Sequence, residues 1–552
     1  MKKQLQLTLS ILMCSIFVNA QTWQWASSAG KIGRNDYATS TATDANGNVY
    51  VVGDFYGTDI TFGATTLTNG LTAGGTSDIF VVKYDMYGSV LWAKRIGGAA
   101  DDLVNSIAID GSGNAVVTGE YLSNVLSFGG VSLTITTGGF SDIFVAKYDP
   151  AGTVMWAKKG GGNGDDGAVG ICTDAVGNIF LAGSFNGPSI TFGTNTVTKS
   201  GSVDALIVKL DLNGAFLWAE HTGGTSSDGE GYGVSADASG NVFFTGFFQS
   251  NSISFGSTTL NNAGASDVFI AKYNSGGVLI WAQSGGGTGE DQVNGISTDA
   301  AGNAFITGYF LSPSATFGSY NITNPNPSSL NIFVVKYDGA GIAGWANSAG
   351  GSGDDDGTSI TTDAAGNVYI AGFFNTSISF GSTTLTSSGS DDIFIARYNP
   401  AGNAVYAKGA GGAGSDAALG LSVDAYHNAY LAGGFLSVSF PLSATTLINT
   451  DAGDTVADMF ITKLNSVNGI DDEANAFSAI TIYPNPAHGL FTIAVPSGST
   501  EIQISSADGR IVQSKNIKGE TNPVFEILDN GVYFIRIKKD NNIITQKLIV
   551  NN

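Results

Sequence analysis

Cysteine, histidine, proline and charge are all scarce in this chain of 552 residues. Two cysteines, Cys14 and Cys172, exclude a disulfide framework. The three histidines, His221, His427 and His488, lack the spacing of zinc ligands. Eleven prolines, with glycines that follow no three-residue period, exclude a collagen. Charged residues make up 13%, about half the usual share. Only 24 bases face 46 acids, a net charge of −22, so nothing here neutralises a row of phosphates and nucleic acid is not a partner. What the chain does have is 77 glycines and a 43% hydrophobic, 11% aromatic composition. That is enough apolar surface to offset the entropy of ordering and to exclude disorder.

The two ends differ from the middle. Lys2 and Lys3, the short apolar stretch Leu5 to Val18 and the small residues before Gln21 predict a signal peptide over 1–20, cut between Ala20 and Gln21. The stretch is shorter than the roughly 20 residues a membrane helix needs, so the mature chain carries no transmembrane segment. Met13 before Cys14 argues against a lipoprotein. At the other end, 466–477 is polar, with Asp471, Asp472 and Glu473, and reads as a linker. From 478 to 552 short alternating strands return. They carry Tyr483-Pro484-Asn485-Pro486, Gly489, Asp508-Gly509-Arg510, Gly531-Val532-Tyr533 and Lys547-Leu548-Ile549-Val550. This segment resembles the C-terminal sorting domain of the Bacteroidetes type IX secretion system. The resemblance implies a small β-sandwich, handling by the type IX machinery, and a protein released or attached at the outer cell surface.

Between the ends one pattern recurs: a strand closing on Asp, a turn ending in Asn, and a second strand, as in TDANGNVYV. The Asn falls at 48, 114, 178, 241, 303, 367 and 428, a period of about 63 residues. Each copy adds a strand of the DIFVAKY type and a Trp-Ala strand, joined by turns with Asp early and Gly late, which is hairpin chemistry. Four strands in hairpin succession make one propeller blade. No stretch has the 3.6-residue period of a crossover helix. Each unit also holds an insertion centred on Phe-Gly (Phe440-Pro441 in the last), read as an extra hairpin whose Phe packs inward. The seventh unit lacks its Trp-Ala strand, while Thr22 to Ser27 supplies one with no unit before it. The sequence therefore predicts an all-β chain, a seven-bladed β-propeller over 21–465 closed by its N-terminal strand, followed by the small β-sandwich. Through the D-x-x-G-N core the units resemble the bacterial SBBP β-propeller repeat, and their order of turns is similar to NHL-type repeats.

Two repeated polar positions stand out. Lys83, Lys147, Lys209, Lys272, Lys336, Arg397 and Lys463 share one place on the third strand, with stems along apolar surface, and call for buried carboxylate partners. Asp36, Asp102, Asp166, Asp291, Asp355 and Asp416 lie eight residues before the turn Asp, and Asp228 nine before. These seven predict a ring at one channel mouth, either shaping loops or holding Ca²⁺, the hard cation that clustered carboxylates suit. No other cofactor is called for. No G-x-S-x-G elbow is present, and no acid pair stands apart for glycoside cleavage. The leading expectation is a non-catalytic surface module that binds glycan or protein. A structural adhesin with a Ca²⁺-bearing acidic rim comes second, and a glycoside hydrolase or lyase third. A specific ligand must break the sevenfold symmetry somewhere; Glu230, Asn331, Tyr406, His427 and the insertion from Pro313 to Leu330 are candidates.

Overall fold

A computed structural model describes residues 21–465 apart from 72–74, 137–139, 225–228, 443–444, 452 and 454, and residues 481–550 apart from 489, 495–498, 507–509, 518–522, 527–528 and 540–541. The signal peptide and the linker expected at 466–477 lie outside these residues, except for Gln21 itself. Every regular element among the described residues is a β-strand. The chain divides into two compact units, one spanning Gln21–Ser466 and one containing the C-terminal strands.

The larger unit is built from seven four-stranded antiparallel groups among the described residues. The second repeat shows the plan: Asp102–Ile109, Ala115–Tyr121, Asp142–Tyr148 and Val154–Gly162, each paired with the next. In the last group Asp416–Val423, Ala429–Phe435 and Asp458–Leu464 are joined by Trp23–Ala29 from the chain's start, with Trp25 opposite Lys463. The two ends of the repeat region therefore share one sheet, and no open edge is left between them. This is a propeller architecture.

The core lies between neighbouring groups. One apolar cluster joins Tyr50, Val52, Ile79 and Val81 of the first repeat to Val104, Val117, Tyr121 and Phe144 of the second. Another joins Val49 and Val51 to Tyr430 and Ile461 of the last. Second and third strands are sandwiched on both faces, which is why VYVVGDF and DIFVVKY are buried along their whole length. Each fully buried Val or Phe contributes about 1.5–3 kcal/mol.

The Phe-Gly insertion forms the expected short hairpin, for example Asp59–Phe62 with Thr65–Thr68. Its Phe is buried and meets a third-strand Phe of the same unit, Phe62 against Phe80 at 5.0 Å and Phe317 against Phe333 at 5.1 Å. The hairpin also pairs with the end of the preceding blade's fourth strand, Phe192 opposite Gly160 and Phe317 opposite Gly285, and through single bridges at Ser127 opposite Gly97 and Ser254 opposite Gly223.

The turns follow their residue types. Asp44 accepts the amides of Asn46 and Asn48 at 2.9 and 3.0 Å and the Asn48 side chain at 2.8 Å, while Gly47 takes φ +78°. His427 stands where other copies have Gly and is forced to φ +62°. A bulge interrupts every first strand, between Ala38 and Ser40 in the first copy and Val104 and Ser106 in the second. Gly53 sits opposite that bulge, and a Cβ there would collide with the Tyr37 carbonyl.

The C-terminal unit pairs Ser499–Ser506 with Ile511–Asn516 and Gly531–Lys539, and the latter with Asn542–Val550. Thr481–His488 pairs in parallel with Asn542–Val550, through Ala487 opposite Val550, and continues the strand order to Leu490–Ala494 and Val524–Glu526. Phe491, Ile493, Ile504, Phe525, Ile535 and Leu548 make its core.

Candidate functional site at the channel mouth

The repeated lysine position is a structural clamp. Lys147 Nζ lies 2.8 Å from Asp110 Oδ2 and donates to the Leu212 carbonyl of the next blade at 3.1 Å. Lys83 and Lys272 reach Asp44 and Asp237 at 3.3 and 3.2 Å. Lys272 also stands 4.5 Å from the centre of the Phe243 ring. The fourth-strand Trp shares the same acceptor, since Trp92 Nε1 and Lys83 Nζ both donate to the Pro150 carbonyl. Asp44, Asp110 and Asp237 are thereby held below the usual carboxylate range, because hydrogen bonds and the lysine outweigh burial.

The expected rim acids are buried rather than displayed. Asp36, Asp102, Asp166, Asp291, Asp355 and Asp416 are all 0% exposed; Asp228 lies outside the described residues. Each opens a first strand, and Asp36, Asp291, Asp355 and Asp416 anchor the loop before it. Asp291, Asp355 and Asp416 accept the amides of Gly287, Gly351 and Gly412 at 2.7–2.8 Å. Asp102, Asp291 and Asp416 also accept a hydroxyl, from Ser123, Ser312 and Ser437. Burial pushes Asp102 up to about 6, Asp36 and Asp355 to about 7 and Asp166 to about 8. Among the described residues no three His, Cys, Asp or Glu side chains converge as a metal site. The geometry is that of loop anchors between blades, so the acids do not form an exposed ring.

A different set of residues faces the channel. A cavity of about 390 Å³ is walled by the first strands of all seven repeats, a size suited to a small ligand or a chain end. The bulge residues point into it: Thr39, Asn105, Val169, Tyr232, Asn294, Thr358 and Leu419. Four of them donate to the next repeat: Thr39 to Val104 O, Asn105 to Ala168 O, Asn294 to Gly357 O and Thr358 to Ala418 O, at 2.6–3.3 Å. Val169, Tyr232 and Leu419 break that circle.

The residue two places before each bulge residue breaks it further. Pairing with the second strand gives Tyr37 opposite Asp54, Leu103 opposite Glu120, Glu230 opposite Phe247, Gln292 opposite Tyr309 and Asp356 opposite Phe373. No two of these pairs are alike, and they gather four carboxylates and four aromatic rings at one end of the channel. Asp54 accepts the Val104 amide at 2.9 Å, and burial with Glu120 nearby holds its carboxyl well above the ordinary range. Glu120 is raised by burial and by Asp165 and Glu230; it leans over Gly167, where a Cβ would stand 2.9 Å from its Oε2. Asp356 accepts Asn294 Nδ2 at 2.7 Å and is pushed up to about 7 by burial. The Tyr232 phenol is pushed up to about 12 by burial and Glu230, and its ring lies 5.7 Å from Phe247. Tyr309 donates to Glu290 Oε1 at 3.0 Å.

Of the symmetry-breaking candidates in the sequence, only Glu230 belongs to this mouth. His427 sits in a turn, its Nδ1 3.0 Å from Asp363, and Tyr406 occupies the Trp place opposite Arg397. Asn331 begins a third strand, and Pro313 to Leu330 contains the Ser314–Phe317 and Tyr320–Thr323 hairpin. Asp54, Glu120, Tyr232 and Asp356 escape sequence reading because they repeat in no other unit. The usable signal is the place itself: the first-strand bulge residue, the residue two before it, and that residue's partner on the second strand.

Among the sorting residues, Pro484, Asn485 and Pro486 lie in Thr481–His488, Gly531 opens Gly531–Lys539, and Lys547 lies in Asn542–Val550. Arg510 is exposed and its carbonyl accepts the Ser506 amide at 2.9 Å. Gly489, Gly509 and Ala20 lie outside the described residues, and Gln21 offers its carbonyl to Lys408 at 2.9 Å.

Comparison with known proteins adds one assignment. Residues 481–551 match the secretion system C-terminal sorting domain family. An uncharacterized WD repeat-containing protein of Acanthamoeba polyphaga mimivirus is 25% identical over 501 residues; the alignment covers 74% of this chain and 36% of the relative's own length. A Dyadobacter fermentans protein of unknown function aligns with 70% of this chain and 98% of its own, at 10% identity and a TM-score of 0.32. A gluconolactonase from Xanthomonas campestris aligns with 64% of this chain and 96% of its own, at 11% identity and a TM-score of 0.28. No helix among the described residues is long and apolar enough to cross a membrane. The sorting domain marks the chain as type IX secretion cargo, destined for the medium or the outer cell surface.

Proposed function

We propose that this exported protein is a closed seven-bladed propeller, built from SBBP-like repeats, that binds an extracellular glycan or protein at the mouth of its channel without transforming it. The observation that carries this reading is the placement of Tyr37, Asp54, Glu120, Glu230, Tyr309 and Asp356 on paired positions that differ from blade to blade, with Tyr232 at a bulge beside them. Repeated residues are accounted for by loops and blade junctions; these are not. Carboxylates accept hydrogen bonds from hydroxyls or ammonium groups, and aromatic faces cover the apolar side of a sugar ring or a side chain. The same mixture serves enzymes on this fold, so the function rests on the site and not on the architecture.

The test is a binding screen of the purified full-length chain on an array of neutral, acidic and amino-sugar oligosaccharides, beside a panel of surface proteins. A hit should weaken about 10- to 100-fold in a Glu230→Gln/Asp356→Asn variant whose melting curve is unchanged or raised. Binding that survives this double substitution would place the ligand elsewhere on the molecule.

A further inference from the structure

Blade junctions bring two buried carboxylates together: the first residue of one unit's third strand and the rim acid opening the next unit. Asp78 meets Asp102, Asp142 meets Asp166, Asp267 meets Asp291, Asp392 meets Asp416 and Asp458 meets Asp36. Two like charges removed from water demand a counter-charge, a proton or a neutral substitute. Most junctions have a visible answer. Arg95, Lys159 and His221 sit on Asp78, Asp142 and Asp204. Between the fifth and sixth units Asn331 replaces the acid. At the closing junction every oxygen has a donor: Thr450 amide and hydroxyl on Asp458, and Tyr56 and Lys31 amides on Asp36.

Two junctions have none of these. The fourth-strand place of Lys159, opposite Phe144, is Ser284 opposite Phe269 and Gly409 opposite Phe394. Asp267 and Asp392 are 3% and 2% exposed, and the Oδ1 atom of each has no hydrogen-bond partner. Their Oδ2 atoms accept the Ala263 and Ser388 amides at 2.9 Å. At Gly286 the position of an absent Cβ lies against Asp267 Oδ1 and 2.9 Å from Asp291 Oδ2, so the two carboxylates converge beside one bare glycine. Gly411 lies against Asp392 Oδ1, and the amide of the next residue, Gly412, donates to Asp416 Oδ2 at 2.8 Å. An unpartnered, buried carboxylate oxygen facing a second carboxylate is what a hard, oxygen-seeking cation requires.

We propose that a divalent cation of the Ca²⁺ type binds at these two junctions, bridging Asp267 with Asp291 and Asp392 with Asp416. Loop carbonyls and water complete the oxygen shell. The site differs from a seven-membered rim: it needs the third-strand acid as well as the rim acid, and it exists only where the chain supplies no cation of its own. None of the four residues lines the channel mouth, so the cation and the ligand-binding reading stand or fall separately.

The experiment uses the full-length chain stripped with a chelator. Calorimetric titration with Ca²⁺ should report about two sites, and about 1 mM Ca²⁺ should raise the melting temperature by roughly 5 °C. The variant Asp267→Asn/Asp392→Asn copies the Asn that the fifth junction already carries. It should melt no lower than the stripped wild type and show no Ca²⁺ shift. A wild type indifferent to millimolar Ca²⁺ overturns the proposal, as does an equal shift in the double variant. Loss of stability between pH 5 and 8 without any Ca²⁺ response would assign a shared proton to the pair, and overturns it too.

Discussion

Each blade carries a repeated aspartate at either end of its first strand, and the two behave oppositely. The turn acids Asp44, Asp110 and Asp237 sit in front of a lysine and two or three amides, and are held below the ordinary carboxylate range. The acids at the strand's start, Asp36, Asp102, Asp166 and Asp355, face another acid or a glycine loop, and burial drives them up. Residue type and repetition are the same at both ends. Only the neighbours differ, and they decide whether the carboxylate supports the fold as an ion or burdens it.

Breaking the paired end should have the largest effect. Lys147→Ala leaves Asp110 buried without its counter-ion and should cost about 3–5 kcal/mol in urea unfolding. Lys147→Arg should cost far less, since Arg397 holds the equivalent place in the sixth unit. At the unpaired end the sign reverses. Asp166 rises from 3.8 to about 8, so the native state binds more protons than the unfolded chain between those values. Its contribution to stability is present below about pH 4 and is lost as pH rises toward 8. Asp166→Asn should therefore stabilise the chelator-treated protein at pH 8 by on the order of 1–3 kcal/mol and change little at pH 4. Equal effects at both pH values would show that Asp166 is no different from a turn acid.

Much of the fold is legible in the sequence because repetition multiplies weak signals. A single Asp-x-x-Gly-Asn turn is ambiguous, whereas six, with a seventh that has His427 for Gly, at a spacing of about 63 residues fix a strand order. The unmatched Thr22 to Ser27 segment and the missing Trp-Ala strand of the last unit foretell the pairing of Trp23–Ala29 with Asp458–Leu464. The buried Phe of the extra hairpin follows from its composition, but its pairing to the previous blade does not, because that contact depends on the angle between blades. The site is less legible for the same reason that the fold is clear. Repeated acids attract attention, yet repetition marks what every blade needs, namely an anchor for a glycine-rich loop. Asp54, Glu120, Tyr232 and Asp356 occur once each and look accidental along the chain. Register alone brings them together, by setting Leu103 opposite Glu120 and Asp356 opposite Phe373 at one end of the channel.

The acids fall into those that obey the repeat and hold the blades, and those that break it, for which we propose the ligand contact. The most direct test measures melting temperature and ligand affinity together for Asp166→Asn and for Glu230→Gln/Asp356→Asn. The account predicts that the first changes stability at pH 8 and leaves affinity alone, while the second lowers affinity at least about 10-fold without loss of stability. Loss of binding in the Asp166 variant, with full binding in the mouth variant, would contradict it.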